Sequence, residues 1–506
     1  MEVVILAAGA GTRMNGHGSV LHKSLRRLMG MPVIERGIRA WGAAGARRIT
    51  IVTGHAEEVL RQALGDGSRF GVELNYVYNP DWEQGNGSSL YAARHAVGSD
   101  HFIVAMADHW YEPTLARRLV EAGRAAGKSS GSLLCVDRSI DSPYDPADAT
   151  KVVIAPDGRI SSLDKALTDY NGLDCGVFLF SSDLFPALED AFREDEYSLG
   201  AAAHRLAERG RLQALDVTGL LWEDLDTEGA VAAARGKIGK SLPGGDDGLI
   251  ARFINRRLSI PLTSLAIRLR MAPNTVSGLA FGIAVAAGAS FGFGQALIGG
   301  VLTQLASVID GSDGEVARAR FMTSRWGGLL DSMLDRLADG AIFIGVGAYL
   351  MRGGLSGIEA LAVAGALASA PLSMMVKDRF QIATGRPWRS SRADGVARYM
   401  LATRDGRLFL VFAGGVSGQL LVVTAYIATA GLALLAWRLM LMRRELRPVA
   451  TPAPVTRSVA PATVGSRATD SLPLPPPVMR PSAHSLHQAS RSRNGVAAST
   501  AERRQR

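Results

Sequence analysis

The chain has 506 residues, 47% of them hydrophobic, with 56 Lys and Arg against 47 Asp and Glu for a net charge of +9, and its length suggests about three domains. Two cysteines, Cys135 and Cys175, exclude a disulfide framework and fit a reducing compartment. The arginines crowd into loops between apolar runs and into the tail, which points to the cytoplasmic face of a membrane and away from nucleic acid.

The first half alternates strand and helix signals. "EVVILAAG" predicts a strand with no leader ahead of it, so this half is expected in the cytosol. "PVIERGIRAWGAAG" has helical period, "RRITIVTG" is a strand, "AEEVLRQALG" a helix and "VELNYVYN" a strand. "SSLYAARHAV" then reads as a helix and "HFIVAMAD" as a buried strand. This rhythm predicts a mostly parallel sheet, Rossmann-like, with helices on both faces over residues 1–235 and ligands bound beyond the carboxyl ends of its strands.

Residues 236–248 read as a linker. "LIARFINRRLSIPLTSLAIRLRM" predicts a helix lying along a membrane surface. Apolar runs near 275–292, 296–319, 327–351, 355–376, 407–420 and 421–442 then predict an all-α membrane domain of six spans within 249–445. Cations concentrate around 318–326 and 377–407, while "SFGFGQ" and "AGGVSGQ" carry none, which places both termini in the cytoplasm, in the plasma membrane. A buried helical bundle of a soluble protein is the plainer alternative. Residues 446–506, rich in Pro, Ser, Ala and Arg, predict a disordered basic tail suited to anionic lipid.

Four aspartates stand out within the apolar half. Asp310 and Asp313 are three apart, and Asp331 and Asp335 four apart, so each pair shares one helix face. Four carboxylates brought together could not all stay ionised without a cation, and hard oxygen ligands suit Mg²⁺ or Mn²⁺. Gly314 and Ala317 leave room for a ligand, and Arg318 offers a donor fork to phosphate. Pairing with nearby arginines explains two of these acids, not four.

The pattern D-x2-D-G-x2-A-R-x8-G-x3-D-x3-D runs from Asp310 to Asp335, Gly327 included, and resembles the signature of the CDP-alcohol phosphotransferases. The resemblance implies a six-span enzyme that moves a phosphoalcohol from a CDP-alcohol to an acceptor hydroxyl, releasing CMP, commonly as a homodimer. It further implies metal at Asp310, Asp313, Asp331 and Asp335, with Asp335 as catalytic base, and CDP-alcohol held by Gly314, Ala317 and Arg318. Lys377, Arg379, Arg404 and Arg407 are available cations for a phosphorylated acceptor.

In the first half, "LAAGAGTRM" puts a glycine-rich turn after the first strand, where Ala8, Gly9, Gly11, Thr12 and Arg13 suit a triphosphate. Such a loop alone fits a dinucleotide fold equally. Lys23 in "HKSL" adds a second cation, and Gly85, Asn86 and Ser88 in "QGNGSSL" offer glycines and amides for a base. Asp108 in "MADHW" and Asp226 in "WEDLDTEGA" could share one Mg²⁺ bridging nucleotide phosphates. The assembly resembles nucleotidyltransferases of the sugar- and alcohol-phosphate class, which implies that Lys165 in "SLDKAL" meets the alcohol phosphate. Those enzymes usually place proline beside the lysine; here His22 and Ser24 flank Lys23, which puts the local geometry in question.

The order of the halves resembles the bifunctional enzymes that join an inositol-1-phosphate cytidylyltransferase to a CDP-inositol:inositol-1-phosphate transferase. The resemblance implies CTP and inositol-1-phosphate as substrates, CDP-inositol as intermediate, and no nucleic-acid partner. The same two steps with another phosphoalcohol or a lipid acceptor are the alternative. A CTP-sensing scaffold and a transporter fit the intact acids less well.

Overall fold

The computed structural model describes residues 1–11, 22–125, 131–242, 247–354 and 357–446. Thr12, Arg13 and the tail from residue 447 lie outside the described residues.

The apolar run of β1 (Glu2–Ala7) is buried on both faces, which suits the centre of a sheet. It pairs in parallel with β4 (Arg48–Thr53) on one side and β6 (His101–Met106) on the other, and β5 (Glu73–Tyr78) extends the sheet in parallel beyond β4. Between β1 and β4 lie two short strands, β2 (Arg27–Leu28) and β3 (Met31–Pro32), and an amphipathic helix, Val33–Ala44, that Gly45 closes in the left-handed region (φ 102°).

The sheet is mixed, which corrects the expectation of a mostly parallel one. The ten-residue β11 (Gly172–Ser181) runs antiparallel to β6, to β8 (Ser132–Asp137) and to β9 (Lys151–Ile154). β10 (Ile160–Asp164) pairs with β9 and β12 (Leu212–Asp216) with β8, which completes nine strands. Apolar clusters fill both faces, one around Ile38, Trp41 and Leu119, the other around Phe102, Phe180 and Leu206. β7 (His109–Tyr111) and β13 (Trp222–Asp224) form a separate antiparallel pair beyond the carboxyl end of β6, with His109 opposite Asp224.

The helix Glu228–Ser241, capped by the Thr227 hydroxyl on Ala230 N–H, runs six residues into the segment read as linker. The helices Pro273–Gly292, Ala296–Ala319, Arg325–Met351, Gly357–Thr384, Arg404–Ser417 and Leu420–Glu445 occupy the six expected regions. Among the described residues, three of them, Pro273–Gly292, Gly357–Thr384 and Leu420–Glu445, are long and apolar enough to cross a membrane. The six-span expectation is thus met in helix positions and not in hydropathy. Ala296–Ala319 and Arg325–Met351 carry the acids, and Arg404–Ser417, at 14 residues, spans about 21 Å, short of a hydrocarbon core of about 30 Å. Gly288 and Gly345 let the Pro273–Gly292 and Arg325–Met351 helices touch through backbone: a Cβ on Gly345 would meet Gly288 Cα at 2.6 Å. The two halves meet in one apolar cluster that joins Leu28, Trp110 and Ile238 to Ile267, Val276 and Val316.

Candidate active centres

The amino-terminal half encloses a cavity of about 320 Å³ at the end of β6, lined by Lys23, Asn86, Asp108, Asp148, Lys165 and Asp226 among others. Lys23 is ion-paired with both Asp108 and Asp226, to Asp226 at 2.9 Å. Burial works against its charge, yet the two carboxylates outweigh burial and raise its pKa above the ordinary lysine value. Burial likewise opposes the Asp108 charge, and Lys23 with His109 overrides it to hold that carboxyl far below the usual range. Gly11 is left-handed (φ 65°), and a Cβ there would meet Lys23 Cδ at 2.6 Å, so glycine lets the lysine lie along the loop.

His22 and Ser24, the departures from the familiar pattern, order this turn. The buried His22 ring donates from Nε2 to the Ala7 carbonyl at 2.9 Å, and its Nδ1 lies 2.7 Å from the Ser24 hydroxyl. Burial lowers its pKa to about 4, so the neutral ring pins Lys23 to the end of β1. Of the residues expected to meet the base, Asn86 accepts the Leu199 N–H at 2.7 Å. The Ser88 hydroxyl turns inward, at 2.9 Å from the Asp81 carbonyl and 2.8 Å from that of Gly85, so its side chain shapes the loop and does not face the cavity. Lys165 lines the cavity and pairs with Asp148 at 2.8 Å.

The carboxylate pair read from sequence is part of a larger acidic set. Oxygens of Asp108, with His109 and Asp224, form one group able to hold a metal, and Asp148, Asp224 and Asp226 form another, each within 4.8 Å. Asp224 belongs to both, and its buried Oδ1 has no hydrogen-bond partner. Burial raises the Asp224 carboxyl to about 6. Burial opposes protonation of His109, but Asp224 and Asp108 raise its pKa to about 9. An acidic, incompletely satisfied oxygen set of this kind fits a hard divalent cation.

In the helical half, Asp310, Asp331 and Asp335 place oxygens within 4.8 Å of one another across two helices. Asp313 accepts the Ser277 hydroxyl beside them. Arg404 threads this cluster, 2.5 Å from Asp310, 2.9 Å from Asp335 and 3.2 Å from Asp339. Asp335 Oδ1 nonetheless accepts no well-aligned hydrogen bond, so this donor set also fits a divalent cation.

Arg404 also lines a cavity of about 410 Å³ that it shares with Lys377, Arg252, Arg336, Arg398 and Arg438. Of the four expected phosphate cations, one lies outside this cavity and one at its wall is committed to an acid. Arg407 touches the cavity but is buried, 3.1 Å from Asp339, which commits it to that acid; Arg379 lies in a separate depression with Ile382 and Met375. Arg318 donates to the Leu242 carbonyl at 2.5 Å and lies over Gly314, so in this structure it grips the chain leaving the amino-terminal half. Arg398 was missed because arginine-rich loops near membranes look alike in sequence, and Arg438, on the helix Leu420–Glu445, is buried and paired with Asp394 at 2.5 Å.

The family model described as MobA-like NTP transferase domain matches residues 3–207, and the one described as CDP-alcohol phosphatidyltransferase matches residues 270–441. A protein of Rubrobacter xylanophilus named bifunctional IPC transferase and DIPP synthase is 33% identical over 416 residues, 82% of this chain and 90% of that one. One of the same name from Thermococcus kodakarensis is 32% identical over 351 residues, 69% of this chain and 76% of that one. The solved inositol-1-phosphate CTP transferase from T. maritima aligns with a TM-score of 0.41 at 24% identity, covering 47% of this chain and 95% of that chain.

Proposed function

The chain belongs to the family of bifunctional IPC transferase and DIPP synthases, and on that premise we propose how its two centres divide the chemistry. It is an enzyme of two transferase domains, a nucleotidyltransferase followed by a membrane-embedded CDP-alcohol phosphotransferase. In the first step a phosphate oxygen of inositol-1-phosphate attacks the α-phosphorus of CTP, and the bond to the β-phosphate breaks to release pyrophosphate and CDP-inositol. Lys23 and the glycine loop from Ala8 hold the triphosphate, Gly85 and Asn86 border the base, and Lys165 meets the inositol phosphate.

In the second step a hydroxyl of another inositol-1-phosphate attacks the inositol-bearing phosphorus of CDP-inositol. The bond to the cytidine phosphate breaks, CMP leaves, and the product is di-myo-inositol phosphate phosphate. Asp335 takes the proton of the attacking hydroxyl. Gly314, Ala317 and Arg318 border the CDP-alcohol, Arg318 exchanging the Leu242 carbonyl for phosphate. Lys377 and Arg398 bind the acceptor phosphate. Asp108, Asp224 and Asp226 would hold Mg²⁺ or Mn²⁺ in the soluble half, and Asp310, Asp313, Asp331 and Asp335 in the membrane half. When bound, such ions neutralise charge developing on the transferred phosphoryl groups.

The observation that carries this reading is the convergence of Asp310, Asp331 and Asp335 next to the cationic cavity. That cavity suits a phosphorylated, water-soluble acceptor better than a neutral lipid. Both centres and both termini lie on the cytoplasmic side in this reading, which the cations of 377–407 support. A homodimer through the membrane half and lipid binding by the tail complete the proposal.

The test is detergent-purified protein given CTP, inositol-1-phosphate and Mg²⁺, followed by phosphorus NMR. CDP-inositol and pyrophosphate appear first, then the phosphodiester and CMP. Unconsumed CTP sinks the first step. CDP-inositol that is transferred only once a lipid alcohol is added replaces the acceptor.

A further inference from the structure

Between β8 and β9 the chain crosses the soluble cavity as a strap, residues 138–150, without helix or strand. Asp145, Asp148 and Thr150 of the strap line the cavity. A connection of this length would ordinarily hold many conformations. Here it is fastened from beneath by charged groups.

Lys237, on the helix Glu228–Ser241, donates to the Ser142 carbonyl at 2.7 Å and to the Trp222 carbonyl at 2.8 Å. It is also ion-paired at 2.7 Å with Glu223, whose other oxygen accepts the Tyr144 N–H at 2.7 Å. Glu223 is 1% exposed. At the strap's far end Lys151 bonds the Ala147 carbonyl and, at 2.8 Å, that of Lys165. Burying such charges is costly unless they meet partners, and most of the partners here are backbone groups of the strap or of its anchor. Glu223 also directly precedes Asp224 on β13, so one strand carries both an acid of the centre and the anchor of its wall.

The strap's chemistry narrows what it faces. Asp145 and Asp148 repel phosphate and accept hydrogen bonds from hydroxyls, while the cations for the triphosphate and the alcohol phosphate, Lys23 and Lys165, come from other segments. We infer that Glu223 and Lys237 are positioning residues that hold the strap as the wall reading the hydroxylated ring of the phosphoalcohol. The inference rests on the reading of this cavity as the cytidylyltransferase site.

The full chain in detergent tests it, with cytidylyl transfer measured while CTP and inositol-1-phosphate are varied separately. Lys237→Met releases the strap from below. Gly229→Ala perturbs it from the side, because the Tyr144 ring occupies the space an added methyl needs, and alanine suits that helix position. Both variants are expected to raise KM for inositol-1-phosphate about tenfold or more, with KM for CTP and kcat within about twofold. A general loosening of the domain moves all three constants together. That result, or no change in either variant, overturns the positioning role. If Lys237→Met does not fold, Gly229→Ala decides alone. An inactive wild type instead removes the underlying site reading, so the two failures are told apart.

Discussion

Replacing Asp335 by asparagine separates the two steps. The carboxylate stands among Asp310 and Asp331, 2.9 Å from Arg404, and its Oδ1 accepts no aligned hydrogen bond. Asparagine keeps the shape but cannot take up the acceptor's proton. Loss of a general base costs about 10²–10⁴-fold in rate, or about 3–5 kcal/mol of barrier. The fold suffers far less, because Arg404 retains Asp310 at 2.5 Å and Asp339 at 3.2 Å, and loss of one partner among three costs about 1 kcal/mol. Phosphorus NMR of the variant with CTP, inositol-1-phosphate and Mg²⁺ should show CDP-inositol accumulating at the wild-type rate while the phosphodiester stays absent. Diester formation at the wild-type rate would refute Asp335 as the base. Failure to accumulate CDP-inositol would refute the separation of the centres.

Lys23→Met removes the cation between Asp108 and Asp226, and CTP consumption should fall at least about 100-fold while transfer from externally supplied CDP-inositol persists. His22 is buried and neutral, with its pKa lowered to about 4, so its stabilisation is full above the unfolded value near 6.5 and is lost as pH falls from there toward 4. A difference of this size is worth about 3 kcal/mol, and the melting temperature of His22→Gln should depend less on pH across that window than the wild type's. Arg407→Leu leaves the buried Asp339 with one partner fewer, Arg404 remaining at 3.2 Å, at a cost of about 1–3 kcal/mol. It should lower the detergent melting temperature by more than Lys377→Met does, whereas a direct phosphate role would instead raise KM for the acceptor with the melting temperature unchanged.

What the sequence made legible is what local geometry determines. Asp310 and Asp313, and Asp331 and Asp335, share helix faces by spacing alone, and the structure brings three of the four together. Lys23 and Asp108 follow the carboxyl ends of β1 and β6, where a parallel core must bind its ligands. Strand direction is different. Buried apolar runs read the same forward and backward, so the antiparallel insertion of β11 beside β6 left no periodic trace.

Asp224 was invisible for a related reason. It gains its role only because β13 pairs with β7 and sets it opposite His109, and in "WEDLDTEGA" nothing distinguishes it from Asp226. Burial is likewise a tertiary property, so Arg404, which threads the aspartates, and Arg407, sequestered by Asp339, looked equivalent in a loop full of arginines. The two centres solve one electrostatic problem the same way. Lys23 lies between Asp108 and Asp226, and Arg404 among Asp310, Asp335 and Asp339, so in each a protein cation offsets the repulsion between neighbouring carboxylates. Each of these cations comes from a segment other than those carrying its acids. Most of the acids, and Lys23 with them, could therefore be read from the chain, whereas which carboxylates each cation joins had to be found in the fold.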